Sequence, residues 1–370
     1  MNRKSDTAGK ITRRTALKMT AAAASLPLFN INHAWSQDVT YAGETFDAGG
    51  ATLPLGEWGG FWEENVRKLL VNEFEKEFNC KIEWDSSFPW FPKFVAAGPK
   101  NPPYAIVNWN LPEMNKTARA GDYFLPQEEV IANVPNAAGL WPFAKANGVG
   151  LTWAFGQYCH AYRSDLVDPA PDNFKAFWED RFAGKRGSYI TSNTLFMAFF
   201  MTASAAFGKD QYDMEAGFRA MRDAMPMKIS DFTGNMQTLL ERGEVEMGVQ
   251  VDGEVYMQKD RGIKVEPLIW QEHKPILTQT KTISRYSDPT QKKLAFALLN
   301  RTLDPAFLAK FDEVFYLRPT HKDVIVPENL KRNGVENTAD ATDGLWIPDW
   351  GWWIENEDEI VETANDIFTQ

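Results

Sequence analysis

Short apolar runs of strand length alternate with longer segments of helical periodicity along most of this 370-residue chain. The strand-like runs are 51–58, 81–85, 104–108, 187–191, 246–251 and 278–284. The helical segments between and after them are 61–78, 113–120, 195–207, 214–225, 235–242, 290–303 and 305–311. Strands that alternate with helices in this way form mainly parallel sheets covered by helices. The sequence therefore predicts an α/β fold.

The long run 148–162 divides the alternating pattern into two sets of strands and helices. It is rich in β-formers and punctuated by glycine, as expected of a strand that crosses between two lobes. We therefore predict a first lobe formed by residues 38–150 plus about 278–326, and a second lobe formed by residues 151–277.

Residues 327–370 form a separate C-terminal segment in this prediction. The segment contains Trp346, Trp350, Trp352 and Trp353, and ten acidic residues but no Lys or Arg follow Arg332. We expect the segment to pack on the lobes, with its tryptophans across the back of one of them; a role at the cleft or at a transporter contact is the alternative. The spacing of four apolar residues predicts a final amphipathic helix with these side chains inward: Ile360, Ala364, Ile367 and Phe368.

The first 36 residues have the composition of an export signal. A basic stretch precedes an apolar segment at 19–29, which is too short to span a bilayer, and small residues follow at Ala34 and Ser36. The pair Arg13-Arg14 resembles a twin-arginine signal, with Ala16 where that pattern usually has Phe; a general secretion signal is the alternative. No cysteine follows for lipid attachment, so we expect a cleaved signal and a soluble periplasmic protein.

Charge and composition exclude several classes of function. The formal net charge is −11, and the chain after residue 36 carries 33 Lys and Arg against 49 Asp and Glu, a net charge of −16. This balance excludes a general nucleic-acid-binding role, which requires a basic surface. An acidic surface also keeps a protein soluble, and we expect a monomer.

Sequence signatures of catalysis and metal binding are absent. The chain contains no phosphate-binding loop, dinucleotide fingerprint, zinc-protease motif or serine-hydrolase elbow. Cys159 and His160 are neighbours on a predicted strand, so their side chains point to opposite faces. Cys80 and Cys159 lie in different predicted lobes, which favours two free buried thiols over a disulfide. We expect no cofactor, no metal and no enzymatic activity; an exported hydrolase stays as the alternative.

Several segments resemble the family 1 extracellular solute-binding proteins, which serve ABC importers of polyamines, ferric iron, thiamine and related solutes. The first are Gly56-Glu57-Trp58-Gly59-Gly60 and the helix end Phe74-Glu75-Lys76-Glu77-Phe78. The others, in chain order, are 105–108, 125–126, 133–136, 153–166, 174–185, 244–253 and 283–289. The resemblance implies a periplasmic-binding-protein-like fold, with two hinged lobes around a ligand cleft, and an ABC permease as partner. A sensory binding protein with the same fold is an open alternative.

Residues at the predicted strand ends are the candidate ligand contacts, because ligands of open α/β sheets bind beyond the carboxyl ends of the strands. The candidates are Trp58, Phe61, Trp109, Asn110, Trp153, Tyr158, Ser192, Asn193, Thr194, Asp252, Glu254 and Gln279. Core packing is the alternative role for the aromatic residues, and helix capping is the alternative for 192–194.

The resemblance also bears on the solute. Polyamine-binding members hold ammonium groups with acids after the first strand of the second lobe and near the return strand, whereas this chain has 192–194 (SNT) and 277–279 (LTQ) there. Ferric-binding members use adjacent tyrosines, and this chain has no Tyr-Tyr pair. Neutral donors at a helix N-terminus suit a carboxylate, and Asp252 or Glu254 would hold an amine. We therefore expect a small amino-carboxylate or similar zwitterion, with a polyamine as the alternative.

Overall fold

The computed structural model describes residues 39–369, so the predicted export signal lies outside the described part of the chain. Its strands are β1 Ala51–Gly56, β2 Cys80–Asp85, β3 Ile106–Trp109, β4 Gly150–Arg163, β5 Arg186–Tyr189, β6 Met227–Ser230, β7 Met247–Val251, β8 Val265–Ile269 and β9 Ile276–Ile283. Each strand predicted from the sequence is present within about two residues of its expected bounds. The sequence pattern missed β6 and β8.

The strands form one continuous sheet with two parallel sets. In the first half of the sheet, β1 lies parallel to β2 and β3, and β9 runs antiparallel to β3. In the second half, β5 lies parallel to β6 and β7. The sheet order is β2-β1-β3-β9-β4-β7-β5-β6, with β8 also paired to β4. The α/β class expected from the sequence is confirmed.

Strand β4 joins the two halves of the sheet. Its first part, Gly150–Gln157, pairs with β9, and its second part, Tyr158–Arg163, pairs with β7 and β8. One strand therefore contributes hydrogen bonds to both halves, as the prediction of a crossing strand at 148–162 requires.

Helices cover the faces of the sheet and begin directly after several strands. The α-helices are α1 Phe61–Val66, α2 Asn72–Glu77, α3 Phe91–Ala97, α4 Leu111–Ala120, α5 Gln127–Asn133, α6 Thr194–Phe207, α7 Met214–Ala224, α8 Thr233–Glu241, α9 Asp252–Asp260, α10 Pro289–Thr302, α11 Pro305–Phe315, α12 Glu328–Lys331, α13 Ala339–Thr342 and α14 Trp350–Thr369. A π-helical turn, Arg67–Val71, joins α1 to α2. Among the helices of residues 39–369, none has the length and apolarity that crossing a membrane would need.

The buried side chains form two main hydrophobic clusters. One lies in the first half of the sheet around Trp153, whose ring centroid is 4.5 Å from that of Phe311. The other lies around α6 in the second half and continues to Trp109 at the end of β3. Both cysteines are buried and unpaired, which confirms the prediction of two free thiols.

The C-terminal helix α14 packs on both halves of the molecule, and not only across the back of one of them. Trp353 lies against Phe196 and Phe200 of α6, with ring centroids 6.3 and 6.1 Å apart. On the other side, Glu357 forms a 2.7 Å ion pair with Lys116 of α4. The predicted inward face is present: Ile360, Ala364 and Ile367 are buried, and Phe368 packs on Phe196. The sequence predicted the hydrophobic stripe of α14. Its contacts with both α6 and α4 depend on the tertiary arrangement, which the stripe does not indicate.

Candidate functional site

A cleft of about 380 Å³ opens where the parallel strands of both halves end. Its size lies within the range typical of small-molecule sites. The lining residues are Trp58, Phe88, Asn110, Pro112, Glu113, Lys116, Ile190, Ser192, Asn193, Thr194, Met197, Asp231, Phe232, Trp353, Ile354 and Glu357. Most of them follow the carboxyl ends of β1, β2, β3, β5 and β6, which is where open α/β sheets bind ligands. Five of the twelve candidate residues line this cleft.

Two helix N-termini meet in the cleft. Asn110 precedes α4 and Asn193 precedes α6, and the Asn193 Oδ1 atom accepts a 2.9 Å hydrogen bond from the Leu195 backbone N–H. The Asn110 Nδ2 group donates to Thr194 Oγ1 at 3.3 Å, so the two halves touch here directly. Each helix N-terminus carries partial positive charge and unpaired backbone N–H groups, which favour an anionic ligand group.

A hydrogen-bond network fixes the wall of the cleft in the first half. Gln279 on β9 accepts a hydrogen bond from Trp58 Nε1 at 2.6 Å and another from Asn108 Nδ2 at 2.8 Å. The Gln279 amide nitrogen donates to Asn110 Oδ1 at 3.0 Å. Gln279 thus lies behind the lining residues and orients two of them, Trp58 and Asn110. These residues lie near one another because they follow or belong to the adjacent strands β1, β3 and β9.

Aromatic rings form much of the remaining surface. Trp58 packs against Phe88 and Trp90, with ring centroids 5.2 and 4.9 Å apart. Phe88 is 45% exposed and Phe232 is 53% exposed, so apolar ring surface is open to a ligand. Such surfaces bind alkyl chains and cations, and a cation–π contact contributes roughly 0.5–2 kcal/mol.

Carboxylates outnumber basic groups in the cleft. Glu113, Asp231 and Glu357 line it together with a single lysine, Lys116. Lys116 is already paired with Glu357. Burial is the main cause that raises the pKa of Glu113; Lys116 acts in the opposite direction, and Glu357 adds to the rise. The charge balance of the cleft therefore favours a ligand that carries a positive group.

The structure places four aromatic candidates elsewhere. Trp109 is fully buried, with its Nε1 group donating to Thr282 Oγ1 at 2.8 Å. Trp153 lies in the first-half core and donates to Asn108 Oδ1 at 2.8 Å. The Tyr158 hydroxyl is buried 3.2 Å from His160 Nε2. Phe61 is exposed and packs edge-on against Phe315. Trp109, Trp153 and Tyr158 thus have the core-packing role that the sequence left open for them, whereas Phe61 lies exposed outside the cleft lining.

The acidic candidates have other partners. The buried Asp252 carboxylate accepts a 2.7 Å hydrogen bond from Arg318 Nε and a 2.8 Å bond from the Gln157 backbone N–H, at the midpoint of β4. Glu254 lies beside Gln237 on α8, and burial raises the pKa of its carboxyl. Neither residue lines the cleft, so the acids that could hold an amine are Glu113 and Asp231.

Sequence reasoning missed several lining residues for identifiable reasons. Asp231 and Phe232 follow β6, a strand that the pattern did not reveal. Glu113 lies in the first turn of the helix after β3, so its position was accessible from the sequence. Trp353 and Glu357 reach the cleft from α14, at least 240 residues beyond Glu113, and no local signal indicates that placement.

The buried histidine has a structural environment. His160 lies between the rings of Phe174 and Phe177, with centroids 4.3 and 4.5 Å away. Burial lowers the pKa of His160 to about 3. Among residues 39–369, no group of three or more His, Cys, Asp or Glu side chains could hold a metal ion. The cleft itself is lined by hydrogen-bonding, charged and aromatic side chains, which are suited to binding a solute.

Comparison with known proteins gives fold-level matches. No protein-family model matches the sequence, and no curated protein matches it. The structure matches a protein from Bordetella parapertussis described as an extracellular solute-binding protein, with TM-score 0.72 and 21% identity over 85% of this chain and 98% of that one. It also matches the Atu4243-GABA receptor, with TM-score 0.70 and 15% identity over 86% and 97% of the two chains.

A third match is the spermidine/putrescine ABC transporter substrate-binding protein PotD from Streptococcus pneumoniae, with TM-score 0.66 and 15% identity over 86% of this chain and all of that one. The Bordetella and Streptococcus neighbours are described as solute- or substrate-binding proteins, the class that the sequence resemblance indicated. At these identities the likeness establishes a periplasmic-binding-protein-like fold.

Proposed function

We propose that this chain is the solute-binding component of an ABC importer, exported by its N-terminal signal and acting as a monomer in the periplasm. The observation that carries this proposal is the cleft at the carboxyl ends of both parallel strand sets, lined by aromatic rings and two helix N-termini. A fold shared with solute-binding proteins supports it. The cognate permease in the inner membrane would be the partner.

In this proposal, binding is coupled to closure of two lobes. Residues 38–150 with about 278–326 would form one lobe and 151–277 the other, and β4 would twist where its pairing passes from β9 to β7. The contact between Asn110 and Thr194 joins opposite walls of the cleft. A solute that contacts both walls favours the closed state over the open one, and the permease would recognise that state.

The solute that fits the cleft best is a small amino-carboxylate or similar zwitterion. The N-termini of α4 and α6 suit a carboxylate, and the acids Glu113 and Asp231 suit an ammonium group. One neighbour in fold is named for GABA, which is an amino-carboxylate. A polyamine is the second candidate, because carboxylates outnumber lysine in the cleft and another neighbour is named for spermidine and putrescine.

Native mass spectrometry of the freshly purified protein tests the proposal. We expect a small molecule to copurify, and its mass distinguishes an amino-carboxylate from a polyamine. Calorimetric titration with that molecule should then show a loss of roughly tenfold to one-hundredfold in affinity for Trp58→Ala, since a large ring that contacts a ligand often contributes about 2 kcal/mol.

The matched control for this titration is Trp84→Ala, which removes a half-buried ring on β2 that does not line the cleft. It should leave the affinity unchanged. Equal losses in the two variants, or the absence of any copurified or added solute that binds, would contradict the proposal.

A further inference from the structure

Two residues that line the cleft each have a buried polar atom without a hydrogen-bond partner. They are the Oε2 atom of Glu113 on α4 and the Nε1 atom of Trp353 on α14. A buried polar atom left unpaired costs about 1–3 kcal/mol, and more when it is charged. Four other buried indole nitrogens in residues 39–369 also lack a partner, but those tryptophans do not line the cleft. Glu113 Oε2 and Trp353 Nε1 are therefore the unpaired buried atoms that belong to side chains lining the cleft.

The Glu113 carboxylate requires a hydrogen-bond donor. The basic group nearest along the same helix is Lys116, whose Nζ atom lies 2.7 Å from Glu357 Oε2. This lysine forms its ion pair with Glu357, and its charge acts on Glu113 without a hydrogen bond to the Glu113 Oε2 atom. Burial disfavours the ionised form of this carboxyl, and a ligand ammonium group stabilises that form, because it brings both a positive charge and N–H donors.

The Trp353 indole requires the opposite partner. An indole nitrogen only donates hydrogen bonds, so its complement is a ligand acceptor such as a carboxylate oxygen. The ring is fully buried and held against Phe196 and Phe200 of α6, which fixes its position. The N-terminus of α6, at Asn193 and Thr194, lies in the same cleft and adds partial positive charge.

We propose that Glu113 and Trp353 determine the specificity of the cleft: Glu113 binds an ammonium group of the solute, and Trp353 donates a hydrogen bond to its carboxylate. This inference rests on the proposed solute-binding function and deepens it by assigning the two ends of a zwitterion to named residues. It also makes the C-terminal helix part of the recognition site. The two residues reach the cleft from different elements, α4 and α14, so one solute would contact both.

Calorimetric titration with matched compounds tests this assignment. The panel contains α- and ω-amino acids of up to six carbons, each with its desamino acid, its decarboxylated amine and the corresponding diamine. Wild-type protein should bind at least one amino acid more tightly than its two truncated analogues. Glu113→Gln should weaken that amino acid by about tenfold to one-hundredfold and remove the preference over the desamino acid. Trp353→Phe should weaken it by about tenfold and reduce the preference over the amine.

Two variants make the same Glu→Gln and Trp→Phe changes outside the cleft and serve as matched controls. Glu64→Gln changes an exposed glutamate of α1, and Trp352→Phe changes the neighbouring ring on α14, which packs on Tyr212 outside the cleft. Both should bind with wild-type affinity, and thermal unfolding of all four variants shows whether each is folded.

The outcomes separate this inference from the proposed function. If Glu113→Gln and Trp353→Phe are folded and bind the amino acid as tightly as wild type, the assignment is wrong while solute binding stands. The assignment is also wrong if wild-type protein binds only diamines or only carboxylates. If the wild-type protein binds no compound and no solute copurifies with it, the solute-binding function itself fails.

Discussion

Lowering the pH should destabilise this protein through His160. The side chain is fully buried between Phe174 and Phe177, and burial lowers its pKa to about 3, against roughly 6.5 for an unfolded histidine. Because the folded-state pKa is depressed, the unfolded chain binds a proton first as the pH falls. The neutral form's contribution to stability is therefore complete above about pH 6.5 and is lost progressively between pH 6.5 and pH 3.

The size of this effect follows from the pKa difference. Each pH unit below the unfolded pKa costs about 1.4 kcal/mol until the folded pKa is reached. At pH 5 the difference is about 1.5 units, so the His160 contribution to the free energy of unfolding falls by about 2 kcal/mol relative to pH 8. Near pH 3 the loss approaches roughly 5 kcal/mol.

Urea unfolding of the wild type and of His160→Phe at pH 8 and pH 5 measures this contribution. The phenylalanine keeps an aromatic ring between its neighbours but does not titrate. Between pH 8 and pH 5, we expect the free energy of unfolding of the variant to fall by about 2 kcal/mol less than that of the wild type, whatever the stability of the variant at pH 8. The control is His273→Gln, which changes an exposed histidine. If the wild type and His160→Phe lose the same free energy, burial does not keep His160 neutral and the reasoning is refuted.

Three further substitutions each test one contact of the fold. Lys281→Met should cost about 3–5 kcal/mol in urea unfolding, because it leaves the Glu57 carboxylate buried without a counter-charge; adding Glu57→Gln should restore at least half of that loss. Gly253→Ala should cost about 1–3 kcal/mol, since its Cβ would lie 2.4 Å from the Tyr316 carbonyl oxygen. Asn193→Ala should cost about 0.5–2 kcal/mol, measured by thermal unfolding, because it removes the cap of α6. A variant without measurable loss would contradict the contact that it tests.

Local periodicity was sufficient to predict most of the fold. The segment 195–207 is apolar on all sides, and the structure forms α6 at Thr194–Phe207 with ten consecutive buried residues, from Leu195 to Ser204. The two missed strands lack such a signal. Strand β6 has only four residues of mixed character, and β8 contains Pro267, a residue that normally argues against a strand.

The site was predictable only where the rule holds that ligands bind beyond the carboxyl ends of parallel strands. Asn110 and the segment 192–194 follow parallel strands and line the cleft. The same rule also selected Asp252, which follows β7, but Arg318 binds its carboxylate from 66 residues further along the chain. Whether a strand-end acid is free depends on partners that are distant in sequence. The local sequence pattern does not indicate such a pairing. The position after a strand therefore predicts where a side chain lies, but not whether its charge is already paired.

The acidic C-terminal helix determines the electrostatic state of the cleft. Glu113 and Lys116 lie three residues apart on α4, a spacing at which they would normally pair with each other. Instead, Glu357 of α14 lies 2.7 Å from Lys116, and Glu355 lies 2.7 Å from Arg119, the next basic residue of the same helix. Both basic groups of this part of α4 are thus neutralised from outside the sheet. Both basic groups form their ion pairs with α14, and the Glu113 Oε2 atom has no hydrogen-bond partner, so the cleft keeps the acidic group that a positively charged solute end requires.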